Sequence, residues 1–434
     1  MASRFLRILL IAIPLLCLSS VLLFNLPPIH ERLGWRVDNL RVQMRRALNP
    51  PEQVVFVPQE QVDAIVNATL QALTASPKVD PTGASTATPT LPGSTPTPQP
   101  SPTATTTPTP LPAQALLTGI RHEYQKFNNC GPANLSMALS YWGWPGDQRD
   151  TAAFLRPGEY DKNVNPAEMV AFVAETTDLA ALARVGGDLQ TLKRFIAAGF
   201  PVVIEKGYDP PHDDWMGHYL TLNGYDDAQG LFTAQDSLIM PDFPLPYDLV
   251  EQRWRDFNYV YLVIYPPGRE AEVLSLLGPQ ASQRSNYEYA AQLASQETAT
   301  LTGRDQYFAW FNLGNNRVAL EDYAGAAEAY DNAFAVYPAI PEEERPWRAM
   351  WYLDGPYAAY YHTGRYQDVI NLANNTFFAL GEYTLEESFY WRGLAKEALE
   401  DLNGAIFDLR KAVELNPNYA PPRDELDRLG VVSP

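Results

Sequence analysis

The first feature of the chain is an apolar run at residues 8–24, preceded by two arginines. Seventeen residues is the short end for a bilayer span, and the pattern predicts an uncleaved membrane anchor over 1–26. A cleaved signal peptide competes with this interpretation, but its apolar region is usually shorter and no Ala-x-Ala-like site follows. A lipoprotein signal at Cys17 is the third interpretation, although Leu16 stands where a small residue is expected.

Residues 27–80 follow as a juxtamembrane segment with five arginines close to the apolar run and a predicted short helix over 60–73. Residues 81–112 contain ten Pro, eleven Thr and three Ser, with no charged or aromatic residue. Such a composition cannot form a core and predicts an extended linker. The arginines favour a cytoplasmic body, whereas a first span and a Thr/Pro stalk favour an extracytoplasmic one. We expect the body to lie outside the cell.

The next pattern is an amphipathic helix predicted over 133–142, whose apolar positions recur at helical spacing. Asn129 is its expected N-cap and Gly143 its expected C′ residue. Cys130 stands at the start of this helix, where the macrodipole favours a thiolate. A buried small hydrophobic residue is the alternative role for a single cysteine.

Alternating residues over 218–225 predict a strand that begins at His218, and a return strand over 231–234 leads to Asp236. Further helices are predicted over 166–175 and 188–198, and further strands over 201–205 and 259–265. Helices first and antiparallel strands second indicate an α+β domain.

The net charge and the absence of certain motifs exclude several classes of function. The 434 residues carry a net charge of −19, which argues against a nucleic-acid partner because phosphate binding needs a basic face. Two cysteines provide no disulfide framework. No phosphate-binding glycine motif or HExxH motif is present. The loop over 209–215 has ligand-like side chains but no third spaced ligand, so we expect no metal and no cofactor.

The sequence Gln-Lys-Phe-Asn-Asn-Cys-Gly-Pro-Ala at 125–133, followed by Tyr-Trp-Gly at 141–143 and Gly-His-Tyr at 217–219, resembles C39-like, papain-type cysteine peptidases. The resemblance extends over about 115–267. It implies a papain-like α+β peptidase domain, which we assign to residues 113–268.

The resemblance also implies catalytic roles. Cys130 is the expected nucleophile, His218 its base and Asp236 the residue that orients His218. Gln125, with the backbone N–H of Cys130, is the expected oxyanion donor. The family often has Pro after this Asp, whereas this chain has Ser237.

Asn223 and Asp226 therefore remain alternatives for the orienting residue. We predict substrate contacts at three further residues. Gly131 adjoins the nucleophile, Gly217 permits close approach of a substrate backbone, and Trp215 is a stacking surface on a lid.

Residues 305–420 contain an internal sequence repeat. Gly314, Ala326, Tyr330, Ala333 and Pro338 have the same separations as a second set 79 residues later: Gly393, Ala405, Leu409, Ala412 and Pro417. These spacings resemble tetratricopeptide repeats and predict an all-α domain over 283–434. Only residues on its concave face could bind a partner.

Together these patterns predict a multidomain fold: an N-terminal transmembrane helix, an α+β papain-like peptidase domain and an all-α tetratricopeptide domain. We expect a single-pass, extracytoplasmic cysteine peptidase that cleaves a peptide or protein, with a protein partner on the repeats. An amidase or acyl transferase acting on cell-wall peptide is one alternative. A non-catalytic repeat scaffold is the other.

Overall fold

A computed structural model describes residues 40, 44, 55–59, 61–64, 66–67, 110–158, 163–210, 213–380 and 384–432. The predicted anchor over 1–26 and almost all of the linker over 81–112 lie outside these residues. In the described part of the chain, no helix combines the length and apolar character needed to cross a bilayer.

The first domain is built on a seven-stranded antiparallel sheet. Its strands are β1 (Gln114–Leu116), β2 (Ala180–Arg184), β3 (Val202–Tyr208), β4 (Met216–Asp226), β5 (Leu231–Gln235), β6 (Phe243–Pro246) and β7 (Tyr261–Tyr265). The order is β2-β7-β3-β4-β5-β6, and β1 pairs with the end of β4. The long central strand β4 carries His218, as the alternating pattern predicted.

Six helices accompany this sheet: α1 (Cys130–Tyr141), α2 (Gln148–Leu155), α3 (Pro166–Thr176), α4 (Leu189–Ala197), α5 (Tyr247–Trp254) and α6 (Glu270–Leu277). Strand residues alternate between two faces. Val203 and Tyr219 pack with Leu135 of α1, whereas Ile204 and Leu220 pack with Phe195 of α4. The sheet thus lies between two apolar layers, and α1 brings its N-terminus to β4.

The predicted start of α1 needs one correction. Asn129 is at the N-cap position, but its side chain does not cap the helix. Its amide donates to Gln148 Oε1 at 2.9 Å, which ties the loop before α1 to α2. Gly143 has φ +84°, the left-handed conformation expected of a C′ glycine.

The second domain is helical: α7 (Gln283–Thr300), α8 (Gly303–Ala319), α9 (Tyr323–Val336), α10 (Gly355–His362), α11 (Tyr366–Leu380), α12 (Glu386–Ala398), α13 (Leu402–Leu415) and α14 (Pro421–Arg428). The repeat is visible in its turns. Asp322 caps α9 by accepting from the N–H of Gly325 at 3.0 Å, and Asp401 caps α13 by accepting from Gly404 at 3.0 Å. The internal self-similarity is therefore structural.

The two domains share one hydrophobic cluster. Trp215 and Phe257 of the first domain pack with Phe308 of α8, and the cluster continues through the helical repeats. Polar contacts accompany it, since Asn258 and Asn316 exchange hydrogen bonds at 2.8 and 3.1 Å. The repeats therefore hold the first domain along an extended interface.

The segment between α9 and α10 supplies a further contact, and we call its residues 346–352 the strap. Arg348, 1% exposed, donates to the backbone oxygens of Asp214 and Trp215 at 3.0 and 3.3 Å, just before β4. At the other end of the strap, the amide of Asn163 donates to the carbonyl of Trp351. The strap thus connects the loop before α3 with the start of β4.

The juxtamembrane segment also docks on the repeats. Phe56 is 6% exposed and its ring lies 4.9 Å from that of Phe334, in a T-shaped contact. The N–H of Gln59 donates to Asp368 Oδ1 at 2.8 Å. The linker therefore joins two segments that are both attached to the same folded body.

Candidate active site

The site is centred on Cys130, which is partly buried at the first position of α1. The first N–H groups of a helix have no acceptor within the helix, so this end is electropositive. Gly131 is buried, and a Cβ at that position would lie 3.0 Å from Met169 Cε and 3.1 Å from Val164 Cβ. The glycine lets α1 approach the α3 layer closely; its predicted contact with substrate remains a prediction.

His218 and Asp236 form a buried pair beside the thiol. His218 Nε2 lies 2.9 Å from Asp236 Oδ1, and the two side chains are 3% and 1% exposed. The Cys130 thiol lies beside the imidazole, and its interaction with the ring contributes to raising the pKa of His218. Because Nε2 faces the carboxylate, Nδ1 is the ring nitrogen left for sulfur. The structure therefore brings together the predicted nucleophile, base and orienting residue.

Asp236 is held by its own turn. Its Oδ1 accepts from the N–H groups of Leu238 and Ile239 at 2.9 and 3.1 Å. The two alternative orienting residues, Asn223 and Asp226, have other hydrogen-bond partners. The Asn223 amide donates to the carbonyl of Leu117, and Asp226 accepts from the turn after β4. Asp236 is the carboxylate that the fold places on His218.

The charges of the three side chains are coupled. Burial acts to raise the pKa of Cys130, but the hydrogen bond and positive charge of His218, with backbone N–H groups of Tyr219 and Gly131, bring it below its usual range. Burial acts to lower the pKa of His218, but Asp236 and Cys130 raise it to about 9. The pKa of Asp236 lies below its ordinary value; burial opposes this, and His218 and the turn N–H groups outweigh burial. At neutral pH this arrangement favours a thiolate–imidazolium pair.

Gln125 lies in the loop before α1 and is anchored to the turn after β5. Its backbone N–H donates to the carbonyl of Ser237 at 2.8 Å, and its Oε1 accepts from Ser237 Oγ at 2.8 Å. Within the described residues, Gln125 Nε2 has no hydrogen-bond partner. This amide group is the candidate donor to an oxyanion at Cys130.

The predicted role of Trp215 needs correction. Trp215 is 3% exposed, and its Nε1 donates to Asp256 Oδ2 at 2.9 Å. Its ring stacks on Phe257 with centroids 5.7 Å apart and packs on Phe308 at 5.2 Å. The ring belongs to the core between the domains and offers no stacking surface to a substrate.

Gly217 is more crowded by neighbouring side chains than its predicted contact with a substrate backbone would require. A Cβ there would lie 2.7 Å from Phe257 Cζ, 3.1 Å from Tyr352 Cε1 and 3.2 Å from Glu205 Oε1. A strap residue therefore occupies the space where the sequence predicted a substrate backbone.

Several residues near the thiol were missed by sequence reasoning. Glu205 is buried opposite Tyr219 in the β3–β4 register; burial raises the pKa of its carboxyl well above the usual value, and the negative charge of Cys130 adds to the increase. Burial lowers the pKa of Lys206, opposite His218, to about 8. Tyr352 comes from the second domain. Only the β3–β4 pairing could have signalled the first two, and nothing local signals Tyr352.

The loop over 209–215 has ligand-like side chains, but the sequence predicts no metal there. His212, its histidine, lies outside the described residues. Across the residues that the structure covers, no group of three or more His, Cys, Asp or Glu side chains is arranged to hold a metal ion.

Residues 115–261 match the Peptidase_C39 like family, and residues 386–419 match a tetratricopeptide repeat. The chain thus joins a C39-like domain to tetratricopeptide repeats. No curated protein matches it.

Solved structures with some similarity include a C39-like peptidase from Bacillus anthracis, at 18% identity and a TM-score of 0.30 over 35% of this chain and 96% of that chain. The MamA RS-1 ArsTM double mutant matches at 17% identity and a TM-score of 0.28, over 37% and 83% of the two chains. A double glycine motif protease from an AMS/PCAT transporter, in complex with the leader peptide, matches at 17% identity and a TM-score of 0.26, over 35% and 98%.

Proposed function

We propose that the C39-like domain is a cysteine peptidase that hydrolyses peptide bonds with Cys130, His218 and Asp236. The observation that carries the proposal is the position of His218, whose Nε2 bonds Asp236 Oδ1 and whose ring lies beside the Cys130 thiol. A cysteine nucleophile needs a base to hold it ionised and a group to orient that base. This chain provides both.

Acylation begins with attack of the Cys130 thiolate on the carbonyl carbon of the scissile amide. A C–S bond forms and the carbonyl oxygen becomes an oxyanion. The donors available to it are Gln125 Nε2 and the Cys130 backbone N–H, which the helix start leaves without an acceptor. The His218 imidazolium then gives its proton to the leaving nitrogen, and the C–N bond breaks.

Deacylation reverses these roles. Neutral His218 takes a proton from water, whose oxygen attacks the thioester carbonyl. The C–S bond breaks, the product leaves as a carboxylic acid and the thiolate–imidazolium pair returns. Asp236 keeps the ring in one tautomer and stabilises each imidazolium state.

The second part of the proposal concerns the rest of the chain. We assign the apolar run at 8–24 to a single-pass anchor and place the peptidase and repeat domains outside the cell. The repeats then have two roles: they hold the peptidase domain through the shared core, and they bind a protein partner. The docking of Phe56 means that the residues before it, not the linker, determine how far the body lies from the membrane.

The proposed function is tested with the full chain purified in detergent and a peptide library derived from whole-cell digests. Wild type should generate new peptide termini, measured by mass spectrometry, and Cys130→Ser should abolish them. The matched control is Cys17→Ser, which removes the only other cysteine and should leave cleavage unchanged.

New amide or ester products in place of new termini would indicate acyl transfer. Absence of any covalent product, with an unreactive Cys130, would contradict the peptidase proposal and leave the scaffold. Protease added to intact cells tests the orientation, because an extracytoplasmic body should be digested without lysis.

A further inference from the structure

A small polar cluster behind the thiol connects four segments of the site. Asn134 Nδ2 donates to the carbonyls of Cys130 and Tyr219 at 3.0 and 2.7 Å, and lies 3.0 Å from Ser237 Oγ. Ser237 Oγ in turn lies 2.8 Å from Gln125 Oε1. Asn134 and Ser237 are at most 1% exposed, so bulk water does not substitute for these partners.

The hydrogen positions in this cluster follow from its acceptors. Backbone carbonyls only accept, so the Asn134 atom facing two of them must be its NH₂ group. Its other end agrees, since Asn134 Oδ1 and the Asn134 backbone carbonyl each lie 3.1 Å from the Thr221 hydroxyl, which donates between them. An amide NH₂ accepts no hydrogen bond, and the single proton of Ser237 is therefore directed to Gln125 Oε1.

In this arrangement Gln125 presents Oε1, and not Nε2, to the Ser237 hydroxyl. A hydroxyl donor at Oε1 fixes the carbonyl end in the turn after β5 and leaves the NH₂ end at the other side. The backbone bond from Gln125 N–H to the Ser237 carbonyl, 2.8 Å long, holds the same two residues in register. With proline at position 237, no side-chain donor would exist for Oε1.

We infer that Ser237 is a positioning residue for the oxyanion donor, and that it acts through Gln125 without touching substrate. The inference rests on the proposed function, because it assigns the free NH₂ of Gln125 to the oxyanion. It also gives a reason for the departure from the family pattern at this position: the hydroxyl contributes what a proline cannot.

The test uses two small reagents that need no knowledge of the natural substrate. p-Nitrophenyl acetate acetylates Cys130: a C–S bond forms, p-nitrophenolate leaves, and the carbonyl oxygen passes through an oxyanion. Iodoacetamide alkylates the same sulfur by displacing iodide, and no oxyanion forms. Both rates are read by mass spectrometry on the peptide that contains Cys130, in the full chain, so Cys17 does not contribute.

Removing one oxyanion donor typically costs about 10²–10³ in rate. We expect Ser237→Ala to lower the acetylation rate at least ~10-fold, with an alkylation rate and alkylation pH profile like those of wild type. Gln125→Ala should lower acetylation by as much or more, and the double variant should be no slower than Gln125→Ala. Ser237→Thr, which keeps the hydroxyl, should restore acetylation.

Two results would overturn the inference. One is acetylation at the wild-type rate in Ser237→Ala; the other is an equal loss of both rates, which marks a merely structural role. A different result would contradict the proposed function itself. In that case the alkylation pH profile of wild type would show a Cys130 thiol of ordinary acidity, and His218→Ala would not change the profile.

Discussion

Substitution Trp215→Ala should destabilise both domains together. The ring is buried between Phe257 and Phe308, and its Nε1 donates to the buried carboxyl of Asp256. Truncation of a buried Trp to Ala costs about 3–5 kcal/mol. That cost includes the lost hydrogen bond. Asp256 is left without its donor, and the second oxygen of its carboxyl already has no partner among the residues that the structure describes.

The assay is urea unfolding of the purified chain, followed by two signals. Far-ultraviolet circular dichroism reports mainly the helical repeats, and alkylation of Cys130 reports the peptidase domain. Both transitions should move to lower urea together in Trp215→Ala. The matched control is Trp215→Phe, which keeps an aromatic ring and loses only the Nε1 bond, so its cost should be near 1–2 kcal/mol. A helical transition that stays at the wild-type midpoint would refute the shared core.

Three further predictions concern the strap and two titrating groups. Tyr352→Ala should raise the alkylation rate of Cys130 by a bulky maleimide several-fold more than by iodoacetamide, because the ring covers Gly217; equal changes for both reagents would contradict this. Peptide cleavage should fall as pH rises near 9, because His218 loses its proton there. Lys206→Met should leave this pH dependence unchanged; a shift of the fall in that variant would assign it to the lysine. Burial is the main reason that the pKa of Glu168 is raised to about 7, so its contribution to stability is complete below 4.5 and is lost as pH rises through 7, by up to roughly 3 kcal/mol. Unfolding of Glu168→Gln should lack this slope; an unchanged slope would place the titration on another group.

The proximity of Cys130, His218 and Asp236 could be predicted because the sequence signals are local. The position of Cys130 at a helix start follows from the spacing of apolar residues after it, and the observed helix begins three residues before the predicted run. His218 begins an alternating strand and Asp236 ends its neighbour, so antiparallel pairing of β4 and β5 brings the two together.

What depends on the second domain could not be predicted. Trp215 stands in a polar loop, and part of what covers its ring is Phe308 of the second domain, 93 positions later in the sequence. Tyr352 could not be predicted near the site either, because it too belongs to the second domain. Ser237 departs from the family pattern, and its partner Gln125 could not be predicted because it is 112 residues away and becomes a neighbour only in the fold.

The repeat pattern predicted the helices but not the residues against which their surfaces pack. Spacings of small residues determine how helices pair, and the capping turns at Asp322 and Asp401 repeat as expected. Nothing in those spacings states that Asn316 pairs with Asn258, or that Phe56 inserts beside Phe334. These contacts join residues 58 and 278 positions apart in the sequence.

The central claim is that His218 holds Cys130 as a thiolate. The most direct measurement is the rate of iodoacetamide alkylation of Cys130 against pH, in wild type and in His218→Ala, read on the peptide that contains Cys130. We predict that the wild-type rate rises well below the pKa of about 8.5 of a free cysteine, and that the substitution returns the rise to or above that value. Identical profiles for the two proteins, both rising at 8.5 or higher, would contradict the account.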